Sequence, residues 1–420
     1  MRGSPTHGNL LRQINHWSLA AERLTHLDDL AAPAAWAGLE GYLGLELRNH
    51  LRKVAGALQS PVPSLRRALD DAMTADDVRR LQRRLVAFRA RYLRAETTID
   101  FFVDAINTRT NEEIASLLRA CDQIAIRAMS DLLVPLGKTV PPILTYLDRG
   151  LGASILKAGL LLWDGGDINP VAGVKVVRHN LFRSTALIHE AGHQVAHFTE
   201  WNGELRSALR SALAPASRHL SNIWSSWASE IAADAFAFAH AGYGSVAGLH
   251  DVLAGSESFV FRLTPGDPHP TSYLRVLLGV AMCRAYYGDG PWDELAAGWE
   301  RRYPLRQADA ELSDIITRSK PLLPVVTRVA LQEPMRAFGG RGLDRMIDPS
   351  RASPRALEDF ERTTATPFDA PPGRLRTTGV RLLALSALKV ATEPGNIAAL
   401  TAQQRYWMRR LGGAVVTKAA

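Results

Sequence analysis

Cysteine is scarce: the 420 residues include only Cys121 and Cys283, too few to hold a chain of this length by disulfides. They read as buried or incidental thiols of a reducing compartment. Long apolar runs are missing as well. The most apolar stretches, residues 152–163, 276–283 and 380–390, are short or broken by Lys or Arg, and none approaches the ~18 residues that cross a bilayer. Residues 1–15 carry Arg, His and Gln but no apolar signal core. The chain is therefore expected to lack an integral membrane segment and to be cytoplasmic, unless a dedicated machine exports it. A phosphate loop is missing too. Leu136-Gly137-Lys138-Thr139 resembles the end of one, but the glycine required five residues before Gly137 is Leu132.

What is present is apolar material for a sizeable core, 46% of the chain, with 22% charged residues. Basic residues outnumber acidic ones, 50 to 42, for a formal charge of +8. The densest basic run holds Arg79, Arg80, Arg83, Arg84, Arg89, Arg91 and Arg94. Leu81, Leu85, Phe88 and Tyr92 fall at helical spacing through it, so it reads first as a solvated basic face over a buried stripe. An anionic partner is its second use, and nucleic acid is not favoured.

Three regions are expected. Residues 1–145 read as helix after helix, and residues 146–303 as a core that mixes strands and helices. Residues 304–420 are helical again, with a Pro/Ser/Thr-rich loop at 348–372 and a frayed tail after Gly413. Two apolar runs, 154–163 and 171–177, flank a Gly/Asp/Asn/Pro cluster and predict two strands joined by a turn. Helices are predicted from about Ser184, over 222–240 and over 271–286. The fold class is α+β, predominantly helical, with a small sheet.

The chemistry is carried by residues 189–193, His-Glu-Ala-Gly-His. On a helix the two histidines lie one turn apart on one face, so both imidazoles reach one ion, and Glu190 projects beside them. A catalytic zinc takes three protein ligands and leaves a fourth position for water. His197 lies eight residues beyond His189, ~12 Å along a helix, too far to share the ion. The alternative with Gly three and His six residues after His193 is excluded by Ala196 and Thr199. Glu230 is the better third ligand. Asp234 follows it by four residues, so two carboxylates share one helix face and require positive charge against them. A zinc ion on Glu230 and a zinc-bound imidazole on Asp234 meet that need. The lone histidines His179, His219, His240 and His250 read as structural.

His-Glu-Ala-Gly-His followed by Glu-x-x-x-Asp resembles the gluzincin zinc metallopeptidases. Within them it is most similar to the CAAX-prenyl-protease and heat-shock membrane protease group, although members of that group usually carry membrane-spanning helices. Asp267-Pro268-His269-Pro270-Thr271-Ser272-Tyr273-Leu274-Arg275 is similar to the His-Pro-x4-Arg element of the group. The resemblance, over about residues 151–290, implies a zincin-like core with one zinc on His189, His193 and Glu230. It also implies Glu190 as catalytic base, Asp234 in support, and His269 and Arg275 near the substrate carbonyl. Gluzincins usually set an edge strand beside the cleft to pair with substrate, and residues 171–177 are the candidate. The expected function is zinc-dependent hydrolysis of peptide bonds in a peptide or protein substrate. The alternative is a non-proteolytic zinc-binding scaffold or regulatory component of a larger assembly.

Overall fold

The structure, a computed structural model, describes residues 5–148, 154–158, 169–181, 184–364 and 366–414. Its contacts divide the chain into two compact units, with the main division close to residue 112. Among the described residues, one unit comprises 5–112 with 158 and 169–170, and the other comprises the described residues of 113–157 and of 171–414.

The first unit is helical, with Pro5–Arg23, Pro33–Leu43, Leu47–Gly56 and Val62–Asp70 preceding the 34-residue helix Ala75–Thr108. Thr74 starts that helix with a capping box to Asp77, which satisfies two backbone donors at once. Leu81, Leu85, Phe88 and Tyr92 are buried, as the periodicity requires. On the opposite face Arg79 pairs with Asp76, Arg80 pairs with Asp77, and the Arg89 guanidinium lies 5.3 Å from the Trp17 ring. No helix among the described residues is long and apolar enough to cross a membrane.

The second unit is predominantly helical around a three-stranded mixed sheet. Its strands are β1 (Ile143–Asp148), β2 (Ser154–Leu156) and β3 (Ala172–Val177), in the order β1-β3-β2. β3 runs parallel to β1, with Ile143 opposite Ala172, and antiparallel to β2, with Ile155 opposite Val174. Two expectations change here. β1 straddles the boundary expected at 145, where no strand was expected; Thr145 secures it by donating its backbone N–H to buried Asp122 at 2.7 Å. β3 is the central strand, hydrogen-bonded on both sides, so residues 171–177 cannot offer a free edge to substrate. β2 stands at the edge, and Ile155 and the following Lys157 line the cleft. Residues 159–163 of the first apolar run, most of the turn after it, and the tail from 415 lie outside the described residues.

Two further boundaries differ. The predicted helix over 222–240 is two helices, Arg218–Ser226 and Ala228–Ala241, broken at Trp227. The break places Glu230 in the first turn of the second helix, where the positive end of the helix dipole favours a carboxylate. The Pro/Ser/Thr-rich segment 348–372 is not a loop. Asp348 caps the short turn Pro349–Ala352, and Ser353 caps the helix Pro354–Thr363. These residues are helix starters as much as loop formers, with Pro at the first position and Ser or Asp before it.

At the centre, helix Thr185–Phe198 lies directly on helix Ala228–Ala241. They approach tightly at Gly192, where an added Cβ would sit 3.0 Å from both Ala233 Cα and Phe236 Cβ. Alanine is the better helix former by ~1 kcal/mol, but it would wedge the two backbones apart, and overpacking of this kind costs about 1–3 kcal/mol. Gly192→Ala is therefore expected to lower unfolding free energy by about 1–2 kcal/mol in urea titration and to weaken metal affinity. Unchanged stability together with unchanged metal binding would show that this contact does not set the helix spacing.

Candidate metal centre

The first helix presents His189, Glu190 and His193, and the second presents Glu230 and Asp234 one turn apart. Ligand atoms of His189, His193 and Glu230 all lie within 4.8 Å of one another, and this is the group among the described residues able to hold a metal ion. The two imidazoles meet edge to face, centroids 4.7 Å apart at 85°. His189 Nε2 is 3.4 Å from Glu230 Oε2, and His193 Nε2 is 3.2 Å from Glu230 Oε1. Two ligands ~2.0–2.1 Å from one tetrahedral zinc stand ~3.3–3.4 Å apart, so both spacings suit it. The buried Glu230 Oε2 has no hydrogen-bond partner. The Arg275 guanidinium faces that oxygen within ion-pair range, and two imidazoles with one carboxylate form a donor set that zinc accepts.

The surrounding shell is built mainly from side chains far apart in sequence. His189 Nδ1 stands 2.8 Å from Asp234 Oδ1, although off the line of a ring N–H bond. Ser229 Oγ is 3.4 Å from His193 Nδ1, a contact the sequence did not single out. Arg275, on helix Ser272–Tyr287, donates from Nε to Asp234 Oδ2 at 2.7 Å and from Nη2 to Asp234 Oδ1 at 2.8 Å. Nη2 also lies 3.1 Å from Glu230 Oε2. The guanidinium expected near a substrate carbonyl is thus directed at two carboxylates, and Arg275 is only 7% exposed. His269 differs. Its side chain is 57% exposed, its Nδ1 meets Asp267 at 2.6 Å, and its Nε2 stands 3.6 Å from Glu230 Oε1. His197 lies further along the helix and is not part of the converging group.

Burial works against charge on His189, Asp234 and Glu230, and their partners override it. Burial disfavours a charged His189, yet Asp234 and Glu230 raise its pKa to about 10. Burial would push Asp234 up, but Arg275 and His189 hold it down at about 2. Glu230 is drawn below the ordinary carboxylate range, against its burial, by the two imidazoles and Arg275. Glu190 goes the other way: burial raises it, with only partial relief from the histidines.

The cluster opens into a cavity of about 860 Å³ whose wall includes Glu190, His269, Arg275, Ile155, Lys157 and His179. His179, read as structural from its isolation in sequence, therefore faces the cleft, whereas His240 is buried against Phe236.

Glu230→Ala is expected to lose most zinc, and His197→Ala to keep it, by elemental analysis after purification without chelator. Asp234→Ala should weaken zinc affinity roughly 10–100-fold. Arg275→Ala leaves two buried carboxylates underpaired, and such losses cost about 3–5 kcal/mol of stability. Loss of metal from His197→Ala with retention in Glu230→Ala would overturn the ligand set.

No family model matches the chain, and no curated protein or solved structure shows significant similarity to it.

Proposed function

We propose that the chain is a zinc-dependent endopeptidase of gluzincin type, with a zincin-like core formed by the two ligand-bearing helices and the small sheet. One observation carries this reading: a buried carboxylate, Glu190, stands beside three convergent ligands on the wall of a cavity large enough for a peptide segment. Zinc held by His189, His193 and Glu230 supplies Lewis acidity and lowers the pKa of water at neutral pH. Glu190 accepts the proton of the attacking water and delivers it to the leaving amine, work that suits a carboxyl whose pKa is raised by burial. His269, at the rim with its Nδ1 fixed on Asp267, directs Nε2 toward the ligand cluster, where charge develops on the carbonyl oxygen. Arg275 is assigned a positioning role, because its hydrogen bonds go to Asp234 and its charge to Glu230.

A second reading, a zinc-stabilised scaffold without turnover, is favoured by the same Arg275 network, which meets the charge requirement of both carboxylates from within the protein. Digestion of an unbiased peptide library separates the two. Wild-type protein should cleave, and Glu190→Gln should keep zinc and fold while losing turnover. His269→Ala should keep zinc and lose roughly 100–1000-fold in turnover, the usual cost of one oxyanion donor. Tight zinc without cleavage of any peptide favours the scaffold, and equal cleavage by Glu190→Gln removes Glu190 as the base.

A further inference from the structure

The cavity extends well beyond the metal ligands, and its character changes as it does. Along helix Ala228–Ala241 the lining residues run Glu230, Asp234, Ala237, Phe238; along helix Ser272–Tyr287 they run Arg275, Leu278, Gly279, Met282. Each series carries its charged residues toward the helix N-terminus, with Ser229 beside Glu230 on the first, and ends apolar. At 1.5 Å per residue, the interval from Glu230 to Phe238, or from Arg275 to Met282, is about 10–12 Å. The third wall, helix Tyr243–Leu253, contributes Val246, Leu249 and Val252, and Phe259 adds an aromatic ring. Ser245 and Asp251 are the polar residues of that third helix in the wall, and Asp251 is held at a half-exposed position by His250, 3.0 Å away.

The walls are locked together. A Cβ on Gly279 would lie 2.8 Å from Val246 Cγ1, and one on Gly248 would lie 2.6 Å from Thr185 Oγ1. The helices carrying the ligands, the ion pair and Leu249 are therefore held close at these points, with the Val246 and Thr185 side chains each seated against a glycine. A lobe framed in this way is preformed and resists collapse around a small group.

We propose that this lobe is the specificity pocket of the site, and that the substrate carries a large aromatic side chain on the residue beside the bond cleaved. The inference rests on the peptidase reading for its location and on the lobe for its chemistry. Alanine or valine would reach only the mouth near the Asp234–Arg275 pair, whereas a phenyl or indole group reaches the apolar floor. Phe238 and Phe259 offer ring edges and faces there, and Met282 offers a polarisable sulfur, the partners that favour an aromatic group over an aliphatic one of equal area. Leu249 is the specificity-determining residue most open to change, since it lines the lobe at partial exposure.

The test uses the zinc-loaded full chain and two probes, acetohydroxamate and 4-phenylbutyrohydroxamate, which share one metal-binding head and differ in the aromatic tail. In calorimetry the phenyl compound should bind about 10–100-fold more tightly, the gain expected from burying one such group. Leu249→Trp, which fills the lobe, should bring the two affinities together while zinc content and melting temperature stay as in the wild type. In the library digest, cleaved bonds should be flanked by Phe, Tyr or Trp, and Leu249→Trp should shift the preference to small residues. Equal affinity of the two hydroxamates for wild-type protein, or cleavage indifferent to aromatic residues, overturns the proposal without touching the peptidase reading. A phenyl preference in a protein that cleaves no peptide does the reverse: the lobe stands and the peptidase reading falls.

Discussion

Two carboxylates buried one helical turn apart are the constraint on which the rest of the site depends. Glu230 and Asp234 lie on one face of a helix otherwise rich in alanine and phenylalanine, with nearly all of their surface removed from water. Like charges at this spacing repel, and desolvation of each costs several kcal/mol after relaxation. Such a helix can be buried only against positive charge. The protein brings that charge from two directions, the His189 and His193 imidazoles on one side and the Arg275 guanidinium on the other. The bidentate bond from Arg275 to Asp234 uses the planar fork that a lysine lacks, so the carboxylate is fixed in orientation as well as in charge. Asp234 in turn faces Nδ1 of His189, which leaves Nε2 for the cluster side.

Electrostatic demand alone does not place atoms to a few tenths of an ångström; the backbone does. Gly192 lies inside the His189–His193 turn and is also a point of tight contact between the two ligand-bearing helices. The same five residues therefore supply two ligands, a base and the notch into which the neighbouring helix fits. Gly279 and Gly248 act similarly on the helices that close the apolar lobe. The break at Trp227 sets where the Glu230 helix begins, and so which residues occupy its first turn. Polar chemistry and close backbone contact are thus specified by interleaved positions on the same helices.

Much of the site was legible in the sequence because helical geometry is local. A spacing of four residues fixes a shared face wherever the helix lies, so His189 with His193, and Glu230 with Asp234, could be paired from sequence, and His197 set aside by distance. The sheet was less legible. β1 is six residues long and buried from its first residue, without the alternation that marks a half-exposed strand. Nothing in residues 171–177 tells a central strand from an edge strand, because that depends on pairing with residues nearly thirty positions away. The segment 348–372 misled for a different reason: proline and serine start helices as readily as they interrupt them, and only hydrogen bonds to the Ala356 and Ser350 amides decide between the two.

Arg275 marks the boundary of what local pattern could deliver. Its presence near the site was expected from resemblance, but its role depends on contacts 41 residues away at Asp234 and 86 residues away at His189. From sequence alone, a guanidinium six residues after His269 could point at substrate or at protein. The structure decides this by a competition of charges: two desolvated carboxylates within 3.1 Å attract the guanidinium more strongly than a neutral carbonyl could. His269 has a single carboxylate fixed on its other ring nitrogen and remains more than half exposed, so it keeps a side turned to the cleft. Two residues of one short motif thus part ways, one absorbed into the frame and one left at the opening. What separates them is the number of buried negative charges within reach of each, a quantity that exists only once the helices have packed.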